Sequence, residues 1–423
     1  MFLTEYGFYF TVLVVFVGTY FAWKNGASSL LSSLGISLWV SPGSRSNVIK
    51  ILVLAAIFEF LGAFLAGGHV LTTFRESIIE PTPIIDNPEI LVLGMVSALL
   101  AAGIWQTLGR LIDWPVSTTQ SIVGAILGFG MGGVGIDAVQ WPFVAVIALI
   151  WLVTPAIGGI FAFFLMKSIQ HLILNSSSPF RSAQKYVLSY LFAFGFLLAL
   201  LTLFQGIDYL NFELSILESI EVAVLMGVVL ASLGKIFIAK ITFDAELGPA
   251  AEHAAVDNIF AVILVFAASA MAFAHGSNDF ANSMGPVLVV FSIVQEGAGV
   301  LQKSHLPIWI FLLGGGGLTI GLVTMGIRQI QVFRSAIPDL TASRVFSVLF
   351  SAAVTVIFAS KAGMPVSTAQ IAIGAIVGVS CVRGNFSLNL ITVSKVAISW
   401  ILTLLICGML SFLLYFSLQT LFL

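Results

Sequence analysis

The sequence predicts an all-α polytopic membrane protein with about 12 transmembrane segments, arranged as two inverted repeats with broken helices or helical hairpins. Three observations predict it. The 423 residues are 59% hydrophobic and 9% charged, with a mean hydropathy of +1.10. A soluble domain carries roughly 25% charged residues, so this chain cannot clothe a water-facing surface. Apolar runs near the roughly 20 residues that cross a bilayer recur along its length. Finally, a pair of polar motifs occurs twice at one separation. Gly26-Ala27-Ser28-Ser29-Leu30-Leu31-Ser32-Ser33-Leu34-Gly35 returns as Gly276-Ser277-Asn278-Asp279-Phe280-Ala281-Asn282-Ser283-Met284-Gly285, and Pro115-Val116-Ser117-Thr118 returns as Pro365-Val366-Ser367-Thr368, both 250 residues later. Paired polar breaks at matching positions of an apolar chain point to a binding site at a repeat interface.

Crossings are expected near 6–40, 48–68, 89–112, 115–136, 138–166, 186–206, 215–240, 257–294, 307–327, 341–360, 365–382 and 392–420. The start lacks the basic region of a cleaved signal peptide, so the first apolar stretch is expected to be retained. The first and eighth runs are too long for simple helices, and a Gly/Ser/Asn-rich motif interrupts each, which predicts a broken helix. The fourth and eleventh are short and open on Pro-Val-Ser-Thr, as half-helices or hairpins would.

Basic residues in short loops set the orientation. With both termini outside, Arg45, Lys50, Arg110, Lys167, Arg181, Lys185, Lys235, Lys240, Arg328, Arg334, Arg344 and Arg383 fall inside. Arg75, Lys303 and Lys361 fall outside, and Lys24 and Lys395 lie within spans. The first crossing and its repeat then run in opposite directions. This divides the chain into a first inverted repeat (1–166), connecting segments (167–256) and a second inverted repeat (257–423). Such near-equal, inverted halves suit alternating access.

Asp279 is the sharpest chemical signal. A carboxylate at mid-membrane is costly unless paired or solvated, so a cation such as Na⁺, or a proton, is its expected partner. Asn278, Asn282 and freed carbonyls would complete an oxygen cage; capping a half-helix is the structural alternative. His275, four residues earlier, forms an i, i+4 pair with Asp279 and is placed to tune it. Glu59 is a second intramembrane carboxylate, suited to carry a proton or line the pathway. It has no acidic counterpart at the 250 offset. Ser117, Thr118 and Thr119, with Ser367 and Thr368, follow prolines that suit a first helical turn. Their free N–H groups and helix dipoles, joined by hydroxyls, would make a donor-rich pocket for a tetrahedral oxyanion.

Other chemistries find little support. The net charge of −2 argues against a nucleic-acid partner, and the two cysteines, Cys381 and Cys407, form neither a disulfide framework nor a zinc spacing. Gly314–Gly317 suits close helix approach. Gly234-Lys235 precedes Ile236, so the Walker pattern is missing and direct ATP drive is not expected; zinc-protease and EF-hand patterns are missing too.

At these residues the chain resembles the inorganic phosphate transporter (PiT) family. That family repeats Gly-x-Asn-Asp-x-x-Asn-x-x-Gly and Pro-Val/Ile-Ser-Thr-Thr-His signatures in two inverted halves. Residues 275–286 match the first closely, 114–119 and 363–368 match the second, and Glu59-x-x-Gly62-Ala63 is also similar. The resemblance implies uptake of inorganic phosphate across a cell (inner) membrane, coupled to Na⁺ or H⁺, without an enzymatic cofactor. By match, Asp279, Asn278 and Asn282 would serve the ion and phosphate site, and Ser117, Thr118, Thr119, Ser367 and Thr368 would line the anion pocket. Members of that family are often homodimers, which adds a second copy of the chain to the candidate partners.

Three departures matter. Ser28-Ser29 stand where the first signature has Asn-Asp, Gln120 and Gln370 where the family often has His, and Ala369 in place of the second Thr. One lost carboxylate disfavours a bound cation, so fewer coupled ions, or a proton, are expected. The hydroxyls of Ser28 and Ser29 still donate to an oxyanion. Phosphate near neutral pH needs an acceptor as well as donors, and Asp279 or Glu59 supplies one; sulfate gains nothing from it and is the alternative substrate. A non-transporting receptor of the same fold is a further alternative. An intramembrane hydrolase pairing Ser28 or Ser29 with His275 lacks a nucleophile elbow.

Overall fold

The computed structural model describes residues 2–27, 45–76, 78–79, 87–112, 114, 116–204, 212–244, 246, 248–296, 306–336, 341–382 and 390–423. Thirteen α-helices account for almost all of them: α1 (Phe2–Ala27), α2 (Arg45–Ala66), α3 (Gly68–Glu76), α4 (Pro88–Leu111), α5 (Thr118–Phe129), α6 (Trp141–Ile169), α7 (Pro179–Leu203), α8 (Ile216–Ile238), α9 (Pro249–Glu296), α10 (Ile308–Ala336), α11 (Ala342–Lys361), α12 (Thr368–Cys381) and α13 (Leu390–Phe422). Local chemistry sets several starts. Pro88, Pro179 and Pro249 open helices where a missing N–H costs nothing. Ser215 and Glu218 form a reciprocal capping box at α8.

Among the described residues, nine helices are long and apolar enough to cross a membrane. Helix length accounts for two of the three crossings by which nine falls short of twelve. α5 with the π-helical turn Gly130–Val134 that continues it, 118–134, and α12 with 14 residues reach about 25 and 21 Å at about 1.5 Å per residue, short of a bilayer core of about 30 Å. Each packs on the helix before it, so 89–129 and 342–381 are helical hairpins. α2 and α3 are one interrupted unit, bent by 62° at Gly67, where a Cβ would collide with the Ala63 carbonyl and the Phe280 ring.

The expected break in the eighth span does not occur. α9 is helical without interruption through 276–285. Its glycines serve close approach instead: a Cβ on Gly276 would strike the Glu59 backbone of α2, and one on Gly285 the Phe74 side chain of α3. Pro286 removes the helical partner of the Asn282 carbonyl, which frees one backbone acceptor rather than opening the helix. The equivalent break expected in the first span, at 28–35, lies outside the described residues.

Helix contacts come in matched pairs. α12 lays Gly374 and Gly378 on Pro155 and Gly159 of α6, and α5 lays Gly124 and Gly128 on Leu404 and Gly408 of α13. Likewise Gly276 meets Glu59 and Gly62 meets Phe273 where α9 crosses α2, while Gly26 meets Leu318 and Gly321 meets Trp23 where α1 crosses α10. Small residues let backbones touch where lipid offers no hydrophobic drive. α1 runs antiparallel to the end of α9: Gly7 lies beside Val294, Gly18 beside Val287, and Asn25 reaches Asp279.

Candidate ion and anion site

Two helix N-termini meet head to head at the centre of the molecule. Ser117 and Ser367 have extended backbones and cap α5 and α12, each accepting from the backbone N–H three residues on at 3.4 Å. The caps touch, with Ser117 Oγ donating to Ser367 Oγ at 3.3 Å. Two positive dipole ends this close repel one another, and only negative charge relieves them. Asp279 supplies part of it: its Oδ2 accepts from Thr118 Oγ1 at 3.1 Å and its Oδ1 from Asn278 Nδ2 at 2.6 Å.

The turn before α12 is held from every side. Gly363 takes φ 71°, a conformation that favours glycine. Its carbonyl accepts from Thr73 Oγ1 at 2.5 Å, and the Pro365 carbonyl from Trp151 Nε1 at 2.8 Å. Asn278 clamps Val366 with both amide atoms, donating to its carbonyl at 2.7 Å and accepting from its N–H at 3.1 Å. Thr119 Oγ1 donates to the same carbonyl at 2.9 Å and accepts from Asn282 Nδ2 at 3.1 Å. Asn278 and Thr119, expected to line the site, thereby also tie the turn before α12 to α9 and α5. Ser117 and Thr118 spend their single hydroxyl protons on Ser367 and Asp279, so the donors left at the junction are the hydroxyls of Ser367 and Thr368 and the first backbone N–H groups of α5 and α12.

Behind Asp279 stands a second carboxylate. His275 Nδ1 lies 2.7 Å from Glu59 Oε1, and its Nε2 lies 3.3 Å from Asp279 Oδ2. All three are buried. A neutral imidazole has one N–H and cannot donate both ways, so His275 donates to both carboxylates only when the ring carries a second proton. The i, i+4 pairing of His275 with Asp279 is as the spacing predicts. Its contact with Glu59, 216 residues away, is not visible in any local pattern. Asn25 was also missed: it is buried and donates from Nδ2 to the Asp279 carbonyl at 3.0 Å. The signal was its place before Gly26, matching His275 before Gly276.

Among the described residues, four buried acceptors on the helices that meet here have no hydrogen-bond partner: Gln120 Oε1, Gln370 Oε1, Asn282 Oδ1 and Glu59 Oε2. Neutral amide oxygens and carboxylates are the ligand types that suit a hard cation. Among the described residues, no three His, Cys, Asp or Glu side chains group as a metal site, so transition-metal chemistry finds no ligand set there. Ser28, Ser29 and Pro115 lie outside the described residues.

Known proteins with similar chains share one theme. Residues 25–411 match the model of a phosphate transporter family. A protein of Haemophilus influenzae named "Putative phosphate permease" is 37% identical over 99% of both chains. One of Pyrococcus abyssi with the same description is 34% identical, covering 95% of this chain and 96% of its own. A solved structure titled "The sodium-dependent phosphate transporter" superposes with a TM-score of 0.87 at 30% identity, over 97% of this chain and 99% of that one.

Proposed function

We propose, from the premise that this chain belongs to the phosphate transporter family, that it carries inorganic phosphate across the membrane by alternating access, with Na⁺ as the coupled ion. The observation that carries this reading is the meeting of two helix N-termini at Ser117 and Ser367, 3.3 Å apart and 250 residues apart in sequence. Their combined donors suit the oxygens of a tetrahedral phosphate, with Thr118 and Thr368 beside them. Asp279 accepts the proton that a monohydrogen or dihydrogen phosphate carries, which sulfate lacks.

Na⁺ is favoured by the sodium-dependent relative and by the unpartnered oxygens of Gln120, Gln370 and Asn282. A second reading, H⁺ coupling, is favoured by His275 lying between Glu59 and Asp279. The two-unit division at 1–166 and 257–423 is supported by the matched glycine contacts. Inversion is supported by α1, which runs against the continuous α9 that contains its own counterpart, 252–277. Loop charges favour both termini outside a cell membrane.

Phosphate uptake into proteoliposomes, with Na⁺ and pH gradients imposed separately, tests all of this. A Na⁺ gradient alone is expected to drive accumulation. Drive by the pH gradient alone selects the second reading, and preferential accumulation of sulfate overturns the substrate.

A further inference from the structure

A groove opens along the membrane-facing side of α12. On α6 it is lined by Ala156, Ile160 and Phe164, and on α12 by Gln370, Gly374, Gly378 and Cys381. Both sets follow helical spacing, one face of each helix. The groove's volume is about 610 Å³, within the roughly 300–1,000 Å³ of small-molecule sites. Gly374 lies on Pro155 and Gly378 on Gly159, so the two helices run parallel and the groove has a direction. One end is Gln370, in the first turn of α12. The other is Phe164 and Cys381. From Gln370 to Cys381 is about 16 Å at 1.5 Å per residue, half of a bilayer core of about 30 Å. The groove is as deep as one leaflet.

Its outer end carries a cation. Lys167 continues the α6 face beyond Phe163, with Nζ 5.6 Å from that ring's centroid, and Phe163 lines the groove. The matching position 250 residues on is Ser417, which spends its hydroxyl on the Leu413 carbonyl. The cation is therefore a property of one face, not of the repeated architecture.

We propose that this groove binds an anionic phospholipid. One acyl chain lies between α6 and α12 with its end toward Gln370, and the headgroup phosphate sits on the Lys167 ammonium. An apolar channel of one-leaflet depth capped by a single positive charge matches a lipid's own layout, apolar tail and charged head. The glycines of α12 lie against the α6 backbone at the floor of the groove. The bound chain packs on α12, whose first turn carries Ser367 and Gln370, so it steadies one wall of the site.

Trp400 also lines the groove and serves as the reporter. The full chain is reconstituted in phosphatidylcholine vesicles containing either brominated phosphatidylglycerol or brominated phosphatidylcholine, and the Trp400 emission is taken as the difference between wild type and Trp400→Phe. Half-quenching is expected at about five-fold less phosphatidylglycerol than phosphatidylcholine, the preference one lysine gives near an anionic headgroup. Lys167→Gln is expected to remove that preference and leave the quenching itself. Ala156→Phe, which fills the groove, is expected to weaken quenching by both lipids. Equal quenching by the two lipids in wild type, or a preference that survives Lys167→Gln, overturns the proposal. None of these readouts depends on transport.

Discussion

The two halves of the molecule pack alike and differ in charge. Where α9 crosses α2, Gly276 and Gly62 bring backbones together around His275 and Glu59. Where α1 crosses α10, Gly26 and Gly321 do the same around Asn25 and Leu318. One crossing holds an imidazole bridging two carboxylates. The other holds an amide and a leucine, and its amide serves the first crossing by bonding the Asp279 backbone. Glycines are thus the shared scaffold, while among the described residues buried carboxylates lie at one of these two crossings. A two-fold architecture does not require two equal ion sites.

Asp279→Asn strikes the charged side hardest. It removes the carboxylate that accepts from Thr118 at the α5 N-terminus and leaves His275 and Thr118 aimed at an amide. Stripping one partner from a buried charged pair costs about 3–5 kcal/mol, so phosphate uptake in proteoliposomes is expected to fall by roughly 10²- to 10⁴-fold, with membrane insertion unchanged. Wild-type initial rates would remove Asp279 from the mechanism. Glu59→Gln acts one step further out. It keeps a hydrogen bond to His275 without the charge, a loss of about 1.5–3 kcal/mol, and a roughly 10- to 100-fold slower uptake is expected. Leu318→Gln, at the matched position, is expected to leave uptake within about two-fold, because a neutral amide there adds no charge beside Asp279. If the two substitutions slow uptake equally, the charge asymmetry is irrelevant to transport.

Much of this comparison was legible before the structure, and the gaps have physical causes. The 250-residue offset located α5, α12 and their serine caps, because a capped N-terminus is written in a few adjacent residues. It hid the counterpart of Glu59. Connections between the first two helices of each half differ in length, so Glu59 pairs with Leu318 and Gly62 with Gly321, a shift of 259 rather than 250. The motif at 276–285 read as a helix break because glycine, serine and asparagine usually leave helices. Here Ser277 and Ser283 bond carbonyls three residues back, Asn278 bonds Val366, and glycine makes room for α2. Polar composition suggested a broken backbone where the helix is continuous. The contact of His275 with Glu59 was invisible because it belongs to helix crossing, not to spacing.

The scaffold side of the comparison predicts equality. Gly276→Ala and Gly26→Ala each drive a Cβ into a neighbouring backbone, at Glu59 and Leu318 respectively. Backbone cannot swing aside, so each is expected to cost at least the 1–3 kcal/mol typical of overpacking, in round numbers about 2. Both should lower the thermal unfolding midpoint of the detergent-purified protein by similar amounts. A loss at Gly276 alone would mean that only the charged crossing bears structural weight.

The smallest effects belong to the serine caps, and they test whether the two halves share one pocket. Ser117→Ala or Ser367→Ala removes an N-cap hydroxyl, a loss of about 0.5–2 kcal/mol. If one phosphate sits between the two N-termini, either change weakens its apparent affinity by a similar few-fold factor. The double substitution is then less than additive, because the Ser117–Ser367 hydrogen bond is already broken by the first, and neighbouring groups couple where distant ones do not. Separate pockets give unequal single effects that add. The concentration dependence of uptake for the four proteins of this cycle distinguishes the two cases, since a hydroxyl that only caps its own helix has no reason to register the loss of the other.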